Sequence, residues 1–363
     1  MSRVENSAKN EALPYLLNCW YQAAWSYELD DAPVARTLLN TPILIFRQGG
    51  GVFAILDRCP HRFAPLSAGK FEDGIIQCGY HGLAFDGTGR CVRNPHGPIT
   101  SAMRTRSFPS AERHKAIWVW FGDEERADDS LIPDLSFIDR MPDDRRVLMH
   151  MPTLANYQLL TDNIMDLSHA DYVHPTSLGG VITGSKSRQY EVGNALVAEW
   201  INLGCDAPGV WQPKVPSPSK ADYYLDVKWE APAVMTLSNT VVPAGQQPTD
   251  EDCARALHNM TPETATSTHY FVSSIRPNEL PESTYKAILE QAFVGEDKPM
   301  LEAQQRRMGD AEFWSLRPIL LRVDTAAVKV RRRLDTMIAT EHADGSRGST
   351  PAVETPVEAD SAS

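Results

Sequence analysis

No stretch of this 363-residue chain approaches the ~18 consecutive apolar residues of a membrane-spanning helix. The opening segment, MSRVENSAKNEALPYLL, has no apolar run of signal-peptide length, so neither anchoring nor export is expected. Cysteine is scarce. The six cysteines (Cys19, Cys59, Cys78, Cys91, Cys205, Cys253) are too scattered for a compact disulfide framework, which points to a reducing cytoplasm. Positive charge is also in deficit: 35 Lys and Arg against 47 Asp and Glu leave a net charge of −12. So acidic a surface argues against nucleic acid or an anionic membrane as partner. There is no internal repeat and no GxGxxG segment for a flavin or nicotinamide cofactor. What remains is a soluble-type composition, 42% hydrophobic and 23% charged, long enough for two domains.

The first part reads as β-structure. TPILIFRQGGGVFAILDR predicts a hairpin about Gly49-Gly50-Gly51, and GIIQC, LAFDGTGRCV and AIWVWFGD continue the pattern to about residue 122. The charged, proline-ended DEERADDSLIPD reads as a linker. LANYQLLTDNIMDLSHADYVH then predicts a helix, followed by strand-like runs in YEVGNALVAEWINL, YYLDVKWEAPAVMTLSNTVV and TSTHYFVSSI. Helices are expected over about 282–296, 299–311 and 318–338, with Arg331-Arg332-Arg333 as a solvated basic face. The fold class is therefore α+β, with domains at 12–122 and 123–340 and a disordered polar tail over 341–363.

Within CPHRFAPLSAGKFEDGIIQCGYH, Cys59 and His61 form Cys-X-His, and sixteen residues later Cys78 and His81 form Cys-X-X-His. Two loops that each offer a thiolate and an imidazole can close on one metal or one small cluster. A Cys2His2 zinc site is the competing reading, and four ordinary loop residues a blander one. The Cys-X-His clamp is tighter than zinc-finger spacing, and both clamps sit beside small residues, Gly79 and Gly82 among them. This favours a Rieske centre, in which two cysteines hold one iron and two histidines the other. Cys91 falls outside both clamps and is read as structural.

The segment NIMDLSHADYVH supplies Asn163, Asp166, His169 and His174. Asp166 and His169 would share a helical face, three residues apart. His174 lies about 140° round from His169 on an ideal helix. The two imidazoles can therefore converge only if the helix bends or ends, and Pro175 favours an ending. Two histidines and one carboxylate from elsewhere would leave open positions on Fe(II). From the residues alone, both histidines could equally be helix-end groups. Asp297 interrupts an apolar stripe between Phe293 and Met300, but Glu296 occupies nearly the same face and Asp297 could cap the helix before Pro299.

CPHRFAPLS and CGYHG together with MDLSHADYVH, TPET at 261–264, EDKPMLEAQQRR at 296–307 and DTAAVKVRRRLD at 324–335 resemble the oxygenase component of Rieske non-heme iron oxygenases. The similarity spans about residues 12–340 and is to the vanillate O-demethylase branch, which includes dicamba demethylase. The resemblance implies an all-β Rieske domain followed by a helix-grip (START-like) catalytic domain with an antiparallel sheet and flanking helices. It implies one 2Fe–2S cluster on Cys59, His61, Cys78 and His81, and one mononuclear Fe(II) on His169, His174 and Asp297. Asp166 would join His169 to His81 of a neighbouring chain in a homotrimer, with Asn163 as further support. Asn239 and His258 fall where relatives hold polar substrate groups. Electrons would come from NAD(P)H through a separate flavin/iron–sulfur reductase, with or without a ferredoxin. The expected reaction uses O2 to hydroxylate the methyl group of a methoxylated aromatic acid, the hemiacetal then releasing formaldehyde.

Ring or angular dioxygenation and N-demethylation would use the same two sites. A Rieske electron carrier and a zinc-stabilised binding module are the readings from other classes; the segment with Asp166, His169 and His174 argues against the carrier.

Overall fold

The computed structural model describes residues 14–30, 32–176 and 178–343. The N-terminal part is built from three small antiparallel sheets. One pairs Cys19–Trp25 with Ala116–Phe121 and the latter with Ser110–Arg113. A second holds Val34–Leu38, Thr41–Gln48, Gly51–Leu56 and Ser107–Phe108. A third, Lys70–Glu72, Ile75–Gln77, Ala84–Phe85 and Cys91–Arg93, carries the second Cys–His loop. The expected hairpin forms, and its turn is Gly49–Gly50, both at positive φ, as a two-residue turn of this hand requires.

The C-terminal part is one seven-stranded antiparallel sheet. Its order is Arg146–Thr153, Ser267–Ile275, Cys253–Thr264, Val234–Pro243, Ala221–Glu230, Ala195–Cys205 and Lys186–Val192. The inner face packs under Tyr157–Met165 and the C-terminal helices. The outer face, through Leu257 and Phe271, packs on Trp25, Trp118 and Trp120 of the first part. Burying one Phe-sized side chain favours folding by roughly 1.5–3 kcal/mol, so this tryptophan-rich seam binds the two parts firmly. Thr261 and Asn259 add hydrogen bonds to Gln22 across it. Among the described residues no helix is long and apolar enough to cross a membrane.

Three expectations change. The helices predicted at 282–296 and 299–311 form one near-continuous run: Glu282–Leu289, a wide π-helical stretch Glu290–Asp297, and Lys298–Met308. Pro299 does not break it because proline is tolerated in a helix's first turn, where its missing N–H has no helical partner to satisfy. The last helix, Thr325–Ala343, starts later and runs past residue 340; the rest of the expected tail, 344–363, lies outside the described residues. Arg331 is not on a solvated face. It is buried, and its guanidinium donates to Asp162 and Gln158 while lying 4.0 Å over the Phe313 ring.

Candidate functional site

The two Cys–His loops are built alike. The Cys59 N–H donates to Ala64 O at 2.8 Å and the Phe63 N–H to Cys59 O at 2.9 Å; Cys78 N–H donates to Leu83 O at 2.8 Å and Gly82 N–H to Cys78 O at 3.1 Å. The residue four beyond each cysteine, Phe63 or Gly82, has positive φ, which turns the loop sharply back. Both cysteines are thereby buried, and the rings of His61 and His81 meet at 4.5 Å between centroids. Burial pushes the Cys59 thiol up to about 11, against the backbone N–H groups of His61 and Arg62 that point at it. His81 Nδ1 is buried with no hydrogen-bond partner. Two sequestered thiols, a ring pair and an orphaned ring nitrogen fit a 2Fe–2S cluster with sulfur ligands inward and imidazoles outward. Cys91 instead donates to Arg93 O at 3.2 Å.

The second set is assembled by a broken helix. Tyr157–Met165 stops at Asp166, whose φ of −129° and ψ of 91° are not helical. Its carboxylate caps the next short turn by accepting the Ser168 N–H at 3.0 Å. This corrects the expected Asp166–His169 side-chain contact: the backbone carbonyl of Asp166, 2.6 Å from His169 Nδ1, is the partner. A single turn, Ala170–Val173, separates His169 from His174, and the chain leaves helical geometry at His174, just before Pro175. The rings come within 5.6 Å, and one ligand atom each of His169, His174 and Asp297 lie within 4.8 Å of one another.

Tautomers follow from the partners behind each ring. The carbonyl of Asp166 can only accept, so His169 Nδ1 carries hydrogen and Nε2 presents a lone pair. Glu296 Oε2 lies 2.7 Å from His174 Nδ1 and orients that ring in the same way. Both Nε2 atoms then face Asp297 Oδ1, at 3.6 and 3.1 Å, and that buried oxygen has no hydrogen-bond partner. Burial disfavours charge on His174, yet Asp297 and then Glu296 outweigh it and raise its pKa. The pocket calls for positive charge here; a metal cation serves all three groups at once, whereas a proton serves one pair. The donor set fits Fe(II) with positions left open.

Glu296 and Asp297 both address His174, Glu296 at Nδ1 and Asp297 at Nε2, where Asp297 also faces His169 Nε2. Asp297 makes no side-chain cap. The orienting role of Glu296 was not foreseen, because a regular helix pattern does not reveal a π-helical stretch; its only sign was the adjacent acid pair.

A cavity of about 100 Å³ abuts this set, lined by Leu178, Ile182, Trp211, Leu225, Phe293 and other apolar groups. Asn239 and His258 also line it. Tyr223 Oη donates to Asn239 Oδ1 at 3.0 Å, which leaves the amide NH2 free. His258 Nδ1 lies 2.6 Å from Tyr270 Oη; Nε2 is buried without a partner, and burial lowers the ring's pKa to about 4. Asn163 and Asp166 lie elsewhere, in an open groove of about 660 Å³ that reaches His169 from its other side.

Residues 19–108 match the Rieske [2Fe-2S] domain model, and residues 154–340 match the vanillate O-demethylase oxygenase C-terminal domain model. The chain is 38% identical to the dicamba O-demethylase oxygenase component of Stenotrophomonas maltophilia, over 91% of this chain and all of that protein. It is also 38% identical to the chloroacetanilide N-alkylformylase oxygenase component of Rhizorhabdus wittichii (90% and 97% covered). Identity is 34% to a vanillate O-demethylase oxygenase subunit of Pseudomonas sp. (84% and 97%). The crystal structure of dicamba monooxygenase bound to 3,6-dichlorosalicylic acid superimposes with a TM-score of 0.82 at 37% identity, covering 90% of this chain and 98% of that one.

Proposed function

Because this chain belongs to the Rieske non-heme iron oxygenases, in the vanillate O-demethylase branch, we propose that it removes the methyl group of a methoxylated aromatic acid. It is an oxygenase component, carrying a Rieske 2Fe–2S cluster and a mononuclear iron. In balance, ether, O2, NAD(P)H and a proton give phenol, formaldehyde, water and NAD(P)+. The observation that carries this reading is the apolar cavity meeting the edge where His169, His174 and Asp297 converge.

The substrate carboxylate is held by neutral donors, the Asn239 amide and the Nε2–H of His258, which desolvation keeps uncharged. With the Tyr270 hydroxyl, 2.6 Å from His258 Nδ1, acting as donor, the ring hydrogen is on Nε2 and faces the carboxylate. Trp211, Leu225 and Phe293 enclose the ring and exclude water, and the methoxy group is aimed at the histidine pair. When bound, the iron held by His169, His174 and Asp297 supplies the O2 chemistry.

Asn163 and Asp166 support electron entry from the groove side of His169, with Asp166 linking to His81 of a neighbouring subunit in a head-to-tail homotrimer. Cys59, His61, Cys78 and His81 hold the cluster. A flavin/iron–sulfur reductase supplies electrons, in the cytoplasm.

With such a reductase, a panel of methoxybenzoates is expected to yield formaldehyde and phenol in step with O2 uptake. A diol product would favour ring dioxygenation. Turnover of neutral chloroacetanilides alone would favour an N-alkyl group as the target, as in the chloroacetanilide N-alkylformylase named for one equally similar relative. Asp166→Asn is expected to slow product formation while iron content stays the same, measured by single-turnover cluster oxidation; an unchanged rate removes the bridging role.

A further inference from the structure

We propose that Asp171 is a positioning residue: its carboxylate fixes the cavity wall over residues 178–183 to the short helical turn between His169 and His174. It thereby sets where the substrate lies relative to that histidine pair. The inference rests on the cavity being the substrate site, as proposed above.

Asp171 lies in the single turn Ala170–Val173. Its Oδ1 accepts the N–H groups of Gly180 at 2.5 Å, Val181 at 3.1 Å and Ile182 at 3.1 Å. Its Oδ2 accepts those of Ile182 at 3.0 Å and Thr183 at 2.5 Å. Four successive backbone donors thus converge on one carboxylate, a concave array that neutral water would fill less strongly. The preceding N–H groups, of Leu178 and Gly179, donate to His174 O at 3.3 and 2.9 Å. The wall is therefore tied to the ligand turn at both of its ends.

Seating is close. A Cβ on Gly179 would lie 2.0 Å from Ala170 O, so only glycine lets the wall press on the turn. Leu178 and Ile182 project from this wall into the cavity that His169, His174 and Asp297 also line. Away from the turn, the wall's hydrogen bonds among the described residues are those that the Asn202 amide and the Ser185 hydroxyl donate to Val181 O and that the Ser185 N–H donates to Ile182 O. An ordinary surface loop leaves such N–H groups to water. Here they are collected by a side chain that moves with the histidines.

The test uses the full-length protein loaded with both metal centres and supplied with reductase, comparing wild type with Asp171→Asn, Asp171→Ala and Gly179→Ala. Readouts are iron content, the visible spectrum of the cluster, KM and kcat for a turned-over methoxybenzoate, product formed per O2 consumed, and cleavage within 178–184 by a nonspecific protease. Asp171→Ala and Gly179→Ala are expected to keep iron and spectrum. Their kcat/KM should fall between about tenfold and a hundredfold, the range that an ångström-scale misplacement produces. Product per O2 should drop, with the missing O2 recovered as hydrogen peroxide, and the wall should become cleavable; Asp171→Asn should fall between these and wild type. Unchanged coupling and cleavage would overturn the proposal, as would activity lost in proportion to iron. If wild type turns over no methoxybenzoate, the function proposed above fails, while cleavage and iron content still decide whether Asp171 holds the wall.

Discussion

Asp297→Ala is expected to abolish turnover and leave no mononuclear iron, while the visible spectrum of the cluster persists. Asp297 supplies the only carboxylate among the three converging groups, and its Oδ1 is buried without another partner. Removing it leaves two neutral imidazoles, which bind Fe(II) weakly. Glu296→Gln is the informative contrast. Its Oε2 only orients His174 from behind, so iron affinity should fall on the order of ten- to a hundredfold and be recoverable with excess Fe(II). Iron analysis and single-turnover assays on the two variants check this. Equal iron loss in both, or retention by Asp297→Ala, would refute the assigned roles. A bleached cluster would instead indicate that the two centres are not independent.

The second large effect is on stability. Arg331→Met is expected to destabilise the protein by about 3 kcal/mol, the lower end for breaking a buried ion pair, because Asp162 keeps some solvent exposure. The Arg331 guanidinium donates to both oxygens of Asp162 and to Gln158 Oε1. Burial nevertheless raises the Asp162 pKa, overriding the opposing effect of Arg331. Desolvation is thus incompletely repaid, and Arg331→Met with Asp162→Leu should recover most of the loss. Denaturant melts of the two single variants and the pair measure this; equal destabilisation by the pair would show that packing against Phe313, not charge, dominates. The pair joins Thr325–Ala343 to Tyr157–Met165, the helix that leads into Asp166 and His169.

How far the chain could be read in advance differed between the centres. The cluster loops are local: each clamp's candidate ligands are a few residues apart, so spacing marks them, although it left zinc open as the metal. The α+β class was also legible, since runs of β-branched and aromatic residues mark strands; the sheet is covered on both faces, so Cys253–Thr264 and Ser267–Ile275 are buried without alternation. His169 and His174 were findable through the helix-ending effect of Pro175. Asp297 lies more than a hundred residues further on, and pattern alone could not separate it from Glu296. The π-helical stretch, the Asp166 carbonyl as partner of His169 and the burial of Arg331 all depend on tertiary packing. A run of three arginines looks alike whether one of them points inward or none does.

His169 lines two spaces, the largely apolar cavity and the open groove containing Asn163 and Asp166. One imidazole therefore serves as a partition wall. Under the proposed function, reducing power would arrive through the groove without crossing the compartment assigned to the organic molecule, so a full chamber would not wait for its fuel.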